Sequence, residues 1–311
     1  KGPIPADQGD RVKGAREALM ERLAEQDDAL IEKYFADGEL SADDIRTAMT
    51  KGMKTGNVIP VFCCNAVAGH GVDVLMDMAA DYGVCPLDRK NFKTVKGDVQ
   101  TDVVPSATGP FLGYVFKTII DVQAGKITMI RVISGSMPAD GSFMNVDTGT
   151  RERYGQVFKM LGRKQEGIPT AVCGDIVSVV KLKETRSGQT LAADDSVGAL
   201  MTHPLPGRCI GLSVRPKTHG DEDKMSAALQ KLLEEDVGIA MSRSDEGNEI
   251  IINGLGQVHL EVAAEKLKRK YGVDIEMKPP RVPYRETIRG TVKNVEGKHK
   301  KQTGGRGQFG V

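Results

Sequence analysis

At 311 residues and 33.5 kDa the chain is too long for one ordinary core, and a prior of about 150 residues per domain predicts two or more domains. Forty per cent apolar and 27% charged residues make a normal globular composition, and 43 Lys and Arg against 42 Asp and Glu remove whole-chain charge as an argument for a polyanionic or acidic partner. No apolar run approaches the roughly 20 residues that span a bilayer, and the N-terminus lacks the pattern of a secretory signal, so the chain reads as cytosolic.

Cys63, Cys64, Cys85, Cys173 and Cys209 are an odd set without C-x-x-C, which argues against a disulfide framework and a zinc knuckle and predicts reduced core residues. The charge is unevenly spread: 11 basic and 16 acidic residues precede Phe92, whereas 13 basic and 5 acidic residues lie from Ala263 onward. The basic end is where a polyanion would sit. A first residue that is Lys and a last residue inside an apparent strand suggest a piece of a longer protein.

Leu19, Leu23, Leu30, Ile31 and Tyr34 recur at near-helical spacing and predict a first helix stopped by Gly38. Ser41-Ala-Asp-Asp44 has the spacing of an N-terminal cap and predicts a second helix through Ile45, Ala48 and Met49. The period then changes. Val58 to Cys64 reads as a short buried strand, Asn65 to Gly71 as a small-residue loop, and Val72 to Tyr82 as a helix with Leu75, Met76 and Ala79 on one face, ended by Pro86.

From Lys93 to about Ala193, β-branched runs at 114–122, 127–134, 156–160 and 176–181 alternate with turns at Ala124-Gly125, Pro138-Ala-Asp-Gly141 and Thr148-Gly149. Short strands between Gly-rich turns at this density predict a β-barrel. Between Arg208 and Met277 the predicted order is a strand (209–214), a helix (223–235), two strands (239–243 and 249–253) around Ser244-Asp-Glu-Gly247, a helix (257–271) and a strand (273–277). That β-α-β-β-α-β order is the split sandwich of a ferredoxin-like domain. An extended stretch through 285–295 and a Gly- and Lys-rich run over 296–310 follow Pro279-Pro280.

The chain carries few catalytic signals. Gly254-Leu-Gly256-Gln-Val-His259 resembles a dinucleotide fingerprint, but His259 stands where the third glycine belongs and the surrounding elements already complete another fold. The two glycines instead suit a tight strand-to-helix turn. No G-x-x-x-x-G-K-[ST] or N-K-x-D occurs, the five histidines show no metal-ligand spacing, and no G-x-S-x-G nominates a nucleophile. Lys298, Lys300, Lys301 and Arg306 lie around Gln302-Thr-Gly-Gly-Arg-Gly-Gln308, where glycines permit backbone approach to phosphates and the cations neutralise them; a solvated loop has the same composition.

The run Val295-Glu-Gly-Lys-His-Lys-Lys-Gln-Thr-Gly-Gly-Arg-Gly-Gln-Phe-Gly310 resembles the opening of the fourth domain of elongation factor G, the translocation GTPase. Gly254-Leu-Gly-Gln-Val-His-Leu-Glu261 with Pro283-Tyr-Arg-Glu-Thr287 resembles its third domain, and Phe116-Lys117 with Ile130-Arg-Val-Ile-Ser-Gly135 its second. The resemblance implies a multidomain α/β and β chain: residues 1–57 as the helical end of a GTPase-domain insert, 58–92 as the end of the P-loop GTPase domain, 93–200 as a translation-factor β-barrel, 201–280 as the ferredoxin-like sandwich, and 281–311 as the truncated start of a further α+β domain.

It also implies a role for the loop at Asn65, Ala66 and Val67, which occupies the place of the family's guanine-facing Ser-Ala pair. Asn65 replaces the Ser, so its hydroxyl is missing; the Ala66 backbone donor is kept, and Asn65 suits a tight turn as well as a nucleotide contact. In the complete protein the resemblance implies GTP and Mg²⁺ as cofactors, the ribosome as partner with indirect action on the tRNA–mRNA complex, no membrane, a monomer off the ribosome, and a bacterial or organellar cytoplasmic setting. The stretch itself is expected to bind no cofactor or metal and to catalyse nothing, because the parts that position the γ-phosphate, metal and water are absent from it. Two alternatives stay open: an elongation factor G-like paralogue with a specialised ribosomal role, and an RNA-binding module without a GTPase parent.

Overall fold

The computed structural model describes residues 4–88, 91–121, 123–162, 164–218, 220–244, 249–282, 284, 286–301 and 308–310, with 300, 301 and 308–310 described by backbone alone. The chain divides into two compact units, Lys1–Leu205 with Glu234–Val237, and Pro206–Leu233 with Gly238–Val311.

The first unit opens with α1 (Gly9–Ala24), α2 (Asp28–Asp37) and α3 (Ala42–Thr55). The single helix expected at the start is two. Asp27 takes extended backbone and accepts the Ala29 N–H on its carboxylate at 3.1 Å, so it caps a new helix where continuous periodicity predicts no break. Gly38 ends α2 in the left-handed conformation, φ 75°. Ser41 and Asp44 form the expected capping box: the Asp44 N–H donates to Ser41 Oγ at 3.2 Å, and the Ser41 N–H to Asp44 Oδ2 at 3.1 Å. Met20, Leu23, Leu30, Leu40 and Ala48 bury one shared core between these helices.

The Val58 to Cys64 run corrects a second expectation, since it forms no strand and leaves Ile59 81% and Val61 89% exposed. A run apolar on both faces becomes a buried strand only with neighbours beside and above it, and no described strand pairs with it. The following helix, α4 (Val72–Tyr82), starts where expected but buries only Met78. The cysteines are likewise not core residues: all five are free, Cys63, Cys64, Cys85 and Cys209 are exposed, and Cys173 is half-buried.

The strands of this unit are β1 (Phe92–Lys96), β2 (Val99–Val103), β3 (Leu112–Asp121), β4 (Gly125–Ser134), β5 (Ser136–Pro138), β6 (Ser142–Asn145), β7 (Thr150–Arg153), β8 (Val157–Leu161), β9 (Lys164–Ile168), β10 (Thr170–Val172), β11 (Ile176–Val180), β12 (Thr190–Ala192) and β13 (Ala199–Leu200). Eight of them make one antiparallel sheet in the order β7-β6-β12-β3-β4-β11-β8-β9; β13-β1-β2 and β10-β5 form two smaller sheets. Phe143 on β6, Leu191 on β12, Val115 on β3, Ile130 on β4, Val177 on β11 and Val157 on β8 are all buried in one core, which requires the sheet to curl around it as in the predicted barrel-like domain.

A side chain ties down the segment that follows β11. The Glu152 carboxylate on β7 accepts the backbone N–H groups of Lys183 at 2.8 Å, Glu184 at 3.0 Å and Thr185 at 2.9 Å, and also the Thr185 hydroxyl. Burial pushes this carboxyl up, but the hydrogen bonds from Thr185, Glu184 and Lys183 outweigh it and hold the group below the usual carboxylate range.

The second unit holds β14 (Ile210–Pro216), α5 (Glu222–Glu235, whose last two residues group with the first unit), β15 (Ala240–Arg243), β16 (Ile250–Gly254), α6 (Gln257–Tyr271) and β17 (Ile275–Lys278). The expected β-α-β-β-α-β order stands, with each boundary within about two residues of the predicted one. The turn at 245–248 lies outside the described residues. The antiparallel order β15-β16-β14-β17 places the first and third strands at the centre. Leu229 and Leu232 from α5, Leu260 and Leu267 from α6, and Val214 and Ile252 from the central strands share the core, each such side chain worth about 1.5–3 kcal/mol when fully buried. Gly254 is required by packing: a Cβ there would lie 2.7 Å from Leu260 Cδ2. Gly256 has φ 179°, extended backbone that any residue adopts. A final hairpin pairs β18 (His299–Lys301) with β19 (Gln308–Gly310).

Candidate functional site

The expected site residues fall in two separate places. The first is the loop after the Val58 to Cys64 run. Asn65 donates its backbone N–H to the His70 carbonyl at 2.9 Å, forming an isolated β-bridge, and its side-chain Oδ1 accepts the Ala68 N–H at 3.0 Å. Asn65 thus builds the turn with both backbone and carboxamide, which is the structural reading of that residue. Gly69 and Gly71 take φ of 74° and 75°, and a Cβ on Gly71 would lie 2.7 Å from the Cys63 carbonyl oxygen, so glycine closes the loop. Ala66 and Val67 stand at the exposed tip, Val67 without measurable burial. A backbone donor there is open to a ligand approaching the tip.

The second place is the basic segment after Pro280. Lys298 is exposed, and its Nζ lies 2.8 Å from the Glu296 carboxylate, with both side chains about 60% accessible. A pair so exposed is worth roughly 0–1 kcal/mol and yields readily to a phosphate. Lys300 and Lys301 lie on β18, where Lys300 is opposite Phe309 and Lys301 opposite Gln308. Arg306 lies outside the described residues. The hairpin brings the two lysines onto one short strand; the loop and the basic segment belong to different units.

A charge cluster around one buried carboxylate, with both arginines exposed, escaped sequence reasoning. Glu249, 6% exposed, pairs with Arg215 Nη2 at 2.9 Å and lies 3.6 Å from Arg281 Nε, and it accepts the Arg281 backbone N–H at 3.3 Å. The Arg281 backbone bond, then the charges of Arg215 and Arg281, keep this carboxyl below its ordinary range against the opposing effect of desolvation. It pins the chain leaving β17 to the sandwich, thereby setting where the basic segment begins. The signal in the sequence is only an acidic residue before an apolar strand, and its partners stand 34 positions upstream and 32 downstream.

Among the described residues no group of three or more His, Cys, Asp or Glu is placed to hold a metal, and no helix is long and apolar enough to cross a membrane. The sandwich strands β14 to β17 carry no Phe, Tyr or Trp, so that sheet lacks the aromatic platform on which single-stranded RNA stacks.

Three family models match in succession: elongation factor G domain 2 over residues 110–194, elongation factor G domain III over 205–279, and elongation factor G domain IV over 280–311. A crystal structure of a Thermus thermophilus protein matches this chain with a TM-score of 0.78 and 28% sequence identity, over 99% of this chain and 44% of its own length. The chain therefore spans less than half the length of that structural relative.

Proposed function

Because this chain belongs to the elongation factor G family, with domains 2, III and IV in order, we propose that it is the central portion of a ribosomal GTPase that uses GTP and Mg²⁺ to move the tRNA–mRNA complex. The observation that carries this reading is that ordered match, in a chain covering 44% of its structural relative. In this reading residues 1–57 end a GTPase-domain insert, 58–92 end the GTPase domain, 93–200 and 201–280 are the barrel and the sandwich, and 281–311 open the fourth domain. The complete protein is a cytoplasmic factor, monomeric off the ribosome.

The role of this stretch is mechanical. Phosphoryl transfer depends on positioning and electrostatics around the γ-phosphate, and the sequence supplies no phosphate cradle, guanine clamp or Mg²⁺ ligand set. The loop at Asn65, Ala66 and Val67 adds one guanine contact when the rest of the GTPase domain is present, through the Ala66 N–H. Lys298, Lys300, Lys301 and Arg306 meet ribosomal RNA phosphates. The barrel and sandwich carry the state of the nucleotide site toward the fourth domain. The absence of aromatic residues from the sandwich strands weighs against a free-standing RNA-binding module of the sheet-stacking kind.

The test compares two proteins. The full-length factor should hydrolyse GTP in a ribosome-stimulated manner, and the 311-residue chain should neither hydrolyse GTP nor bind it by calorimetry with Mg²⁺. Micromolar binding of GTP by the chain alone would overturn the assignment of its role, and a full-length protein without ribosome-stimulated hydrolysis would overturn the parent class.

A further inference from the structure

The face of the first unit's eight-stranded sheet opposite its main core packs a second, smaller core of Leu112, Ile133 and Ala192, against which Phe92 and Tyr114 lie, and beside it holds a groove that neither expected site uses. Its floor is a cross-strand row: Tyr114 on β3 stands opposite Arg131 on β4, and Arg131 stands opposite Ile176 on β11. The neighbouring residues Val115, Ile130, Val132 and Val177 are buried in the core, so the row belongs to the other face by strand alternation. The β3–β4 register slips between Val115 and Lys117, leaving Phe116 as the extra residue of a bulge, 41% exposed beside Tyr114. Bulges of this kind re-aim side chains next to binding sites.

Phe92 of β1 and the segment Val84-Cys85-Pro86, which leaves α4, wall the groove, whose cavity volume is about 550 Å³. That size falls within the roughly 300–1,000 Å³ of small-molecule sites, which are mostly apolar with a few polar groups that orient the ligand. Arg131 supplies the cation here. It is half-buried, and among the described residues no carboxylate pairs with it. A guanidinium set among aromatic and aliphatic side chains without a counter-ion is an anchor for an anion brought by a ligand, and its planar fork suits a carboxylate or sulfonate.

We propose that this groove binds a small amphiphilic anion, with a flat apolar body lying among Tyr114, Phe116, Phe92 and Ile176 and one acidic group on Arg131. The site is independent of the ribosomal reading. Cys85, an exposed thiol on the wall, reports on occupancy of this groove, and the exposed Cys64, which does not line it, serves as the control.

The experiment titrates the folded chain with the fluorescent probe 1-anilinonaphthalene-8-sulfonate, competes it with naphthalene-1-sulfonate or uncharged naphthalene-1-methanol, and follows iodoacetamide labelling of Cys85 and Cys64 by peptide mass. The expected result is one saturable site, displaced about tenfold more readily by the sulfonate than by the alcohol, as one charge-assisted contact allows. Arg131→Gln weakens probe binding about tenfold at unchanged melting temperature, Arg131→Lys restores part of it, and ligand slows labelling at Cys85 but not at Cys64. Phe116→Ala, at an exposed bulge position, serves as the second variant if Arg131→Gln unfolds. Equal probe binding by wild type and the variants, equal competition by sulfonate and alcohol, or unprotected Cys85 would each overturn the proposal.

Discussion

Arg281 donates its backbone N–H to the buried Glu249 carboxylate at 3.3 Å, so the residue just after Pro280 is held by the residue just before β16. Because Arg215 and Arg281 both face the same carboxylate, Glu249 fixes the exit of the sandwich with charge as well as with a hydrogen bond.

The carboxyl of Glu249 is lowered in the folded protein by that backbone bond and by the two arginines. A lowered folded value means that its stabilisation is complete above the ordinary carboxylate range and is lost as pH falls through the lowered value. Thermal unfolding of Glu249→Gln should therefore show a lower melting temperature than wild type near neutral pH, and the gap should narrow in strong acid. A gap constant with pH would mean that charge plays no part.

Glu152 makes a second prediction, for a carboxylate whose partners are chiefly backbone N–H groups. Glu152→Ala removes the acceptor of three N–H groups, of which Lys183 and Glu184 are exposed to water and Thr185 is buried, and should cost about 0.5–1.5 kcal/mol, the net worth of a hydrogen bond. Urea unfolding monitored by circular dichroism measures this. Glu152→Gln should recover part of the loss, since an amide oxygen still accepts but without charge.

If the loop at Asn65, Ala66 and Val67 faces guanine as proposed, the backbone of Ala66 matters more than the side chain of Asn65. In the full-length factor Ala66→Pro removes the donor and should weaken GDP binding by about tenfold or more, the equivalent of about 1.4 kcal/mol. Asn65→Ala removes only the contact to the Ala68 N–H and should stay within about threefold. Equilibrium titration with a fluorescent GDP analogue reads both; the reverse order would make Asn65 the nucleotide contact.

Lys298, Lys300, Lys301 and Arg306 are expected to contact phosphates, so replacing each by Ala in the full-length factor should weaken ribosome binding and lower the salt slope by roughly 0.7–0.9 per cation. Ribosome titrations at several salt concentrations give the slope. An unchanged slope would identify the segment as a solvated loop.

The sandwich was the most legible part of the sequence because its apolar periods switch between about 2 and 3.6 in an order that one topology satisfies. Local chemistry was equally readable where it is decided within a few residues, as in the Ser41 and Asp44 capping box. The failures have different causes. The Val58 to Cys64 run has the composition of a buried strand, but strands need partners, and Ile59 and Val61 stay exposed without them. The break at Asp27 went unseen because a side-chain cap can interrupt an otherwise continuous apolar stripe. The general preference of free cysteine for the interior says nothing about a particular loop, and Cys63 and Cys64 lie on an exposed one. Of the candidate sites, the loop at Asn65 was legible as a loop from its small residues and as a site only through the family resemblance; the grip of Arg215 and Arg281 on Glu249, which spans more than thirty residues each way, was legible in neither way.

The central claim is that the complete protein moves the tRNA–mRNA complex by using GTP. The most direct measurement adds full-length factor with GTP and Mg²⁺ to ribosomes carrying peptidyl-tRNA in the pre-translocation position and follows a fluorescent label at the end of the mRNA in a stopped-flow instrument. The account predicts movement by one codon, fast with GTP and much slower without factor. Ribosome-stimulated GTP hydrolysis with no mRNA movement would contradict it and assign the protein to another ribosomal role.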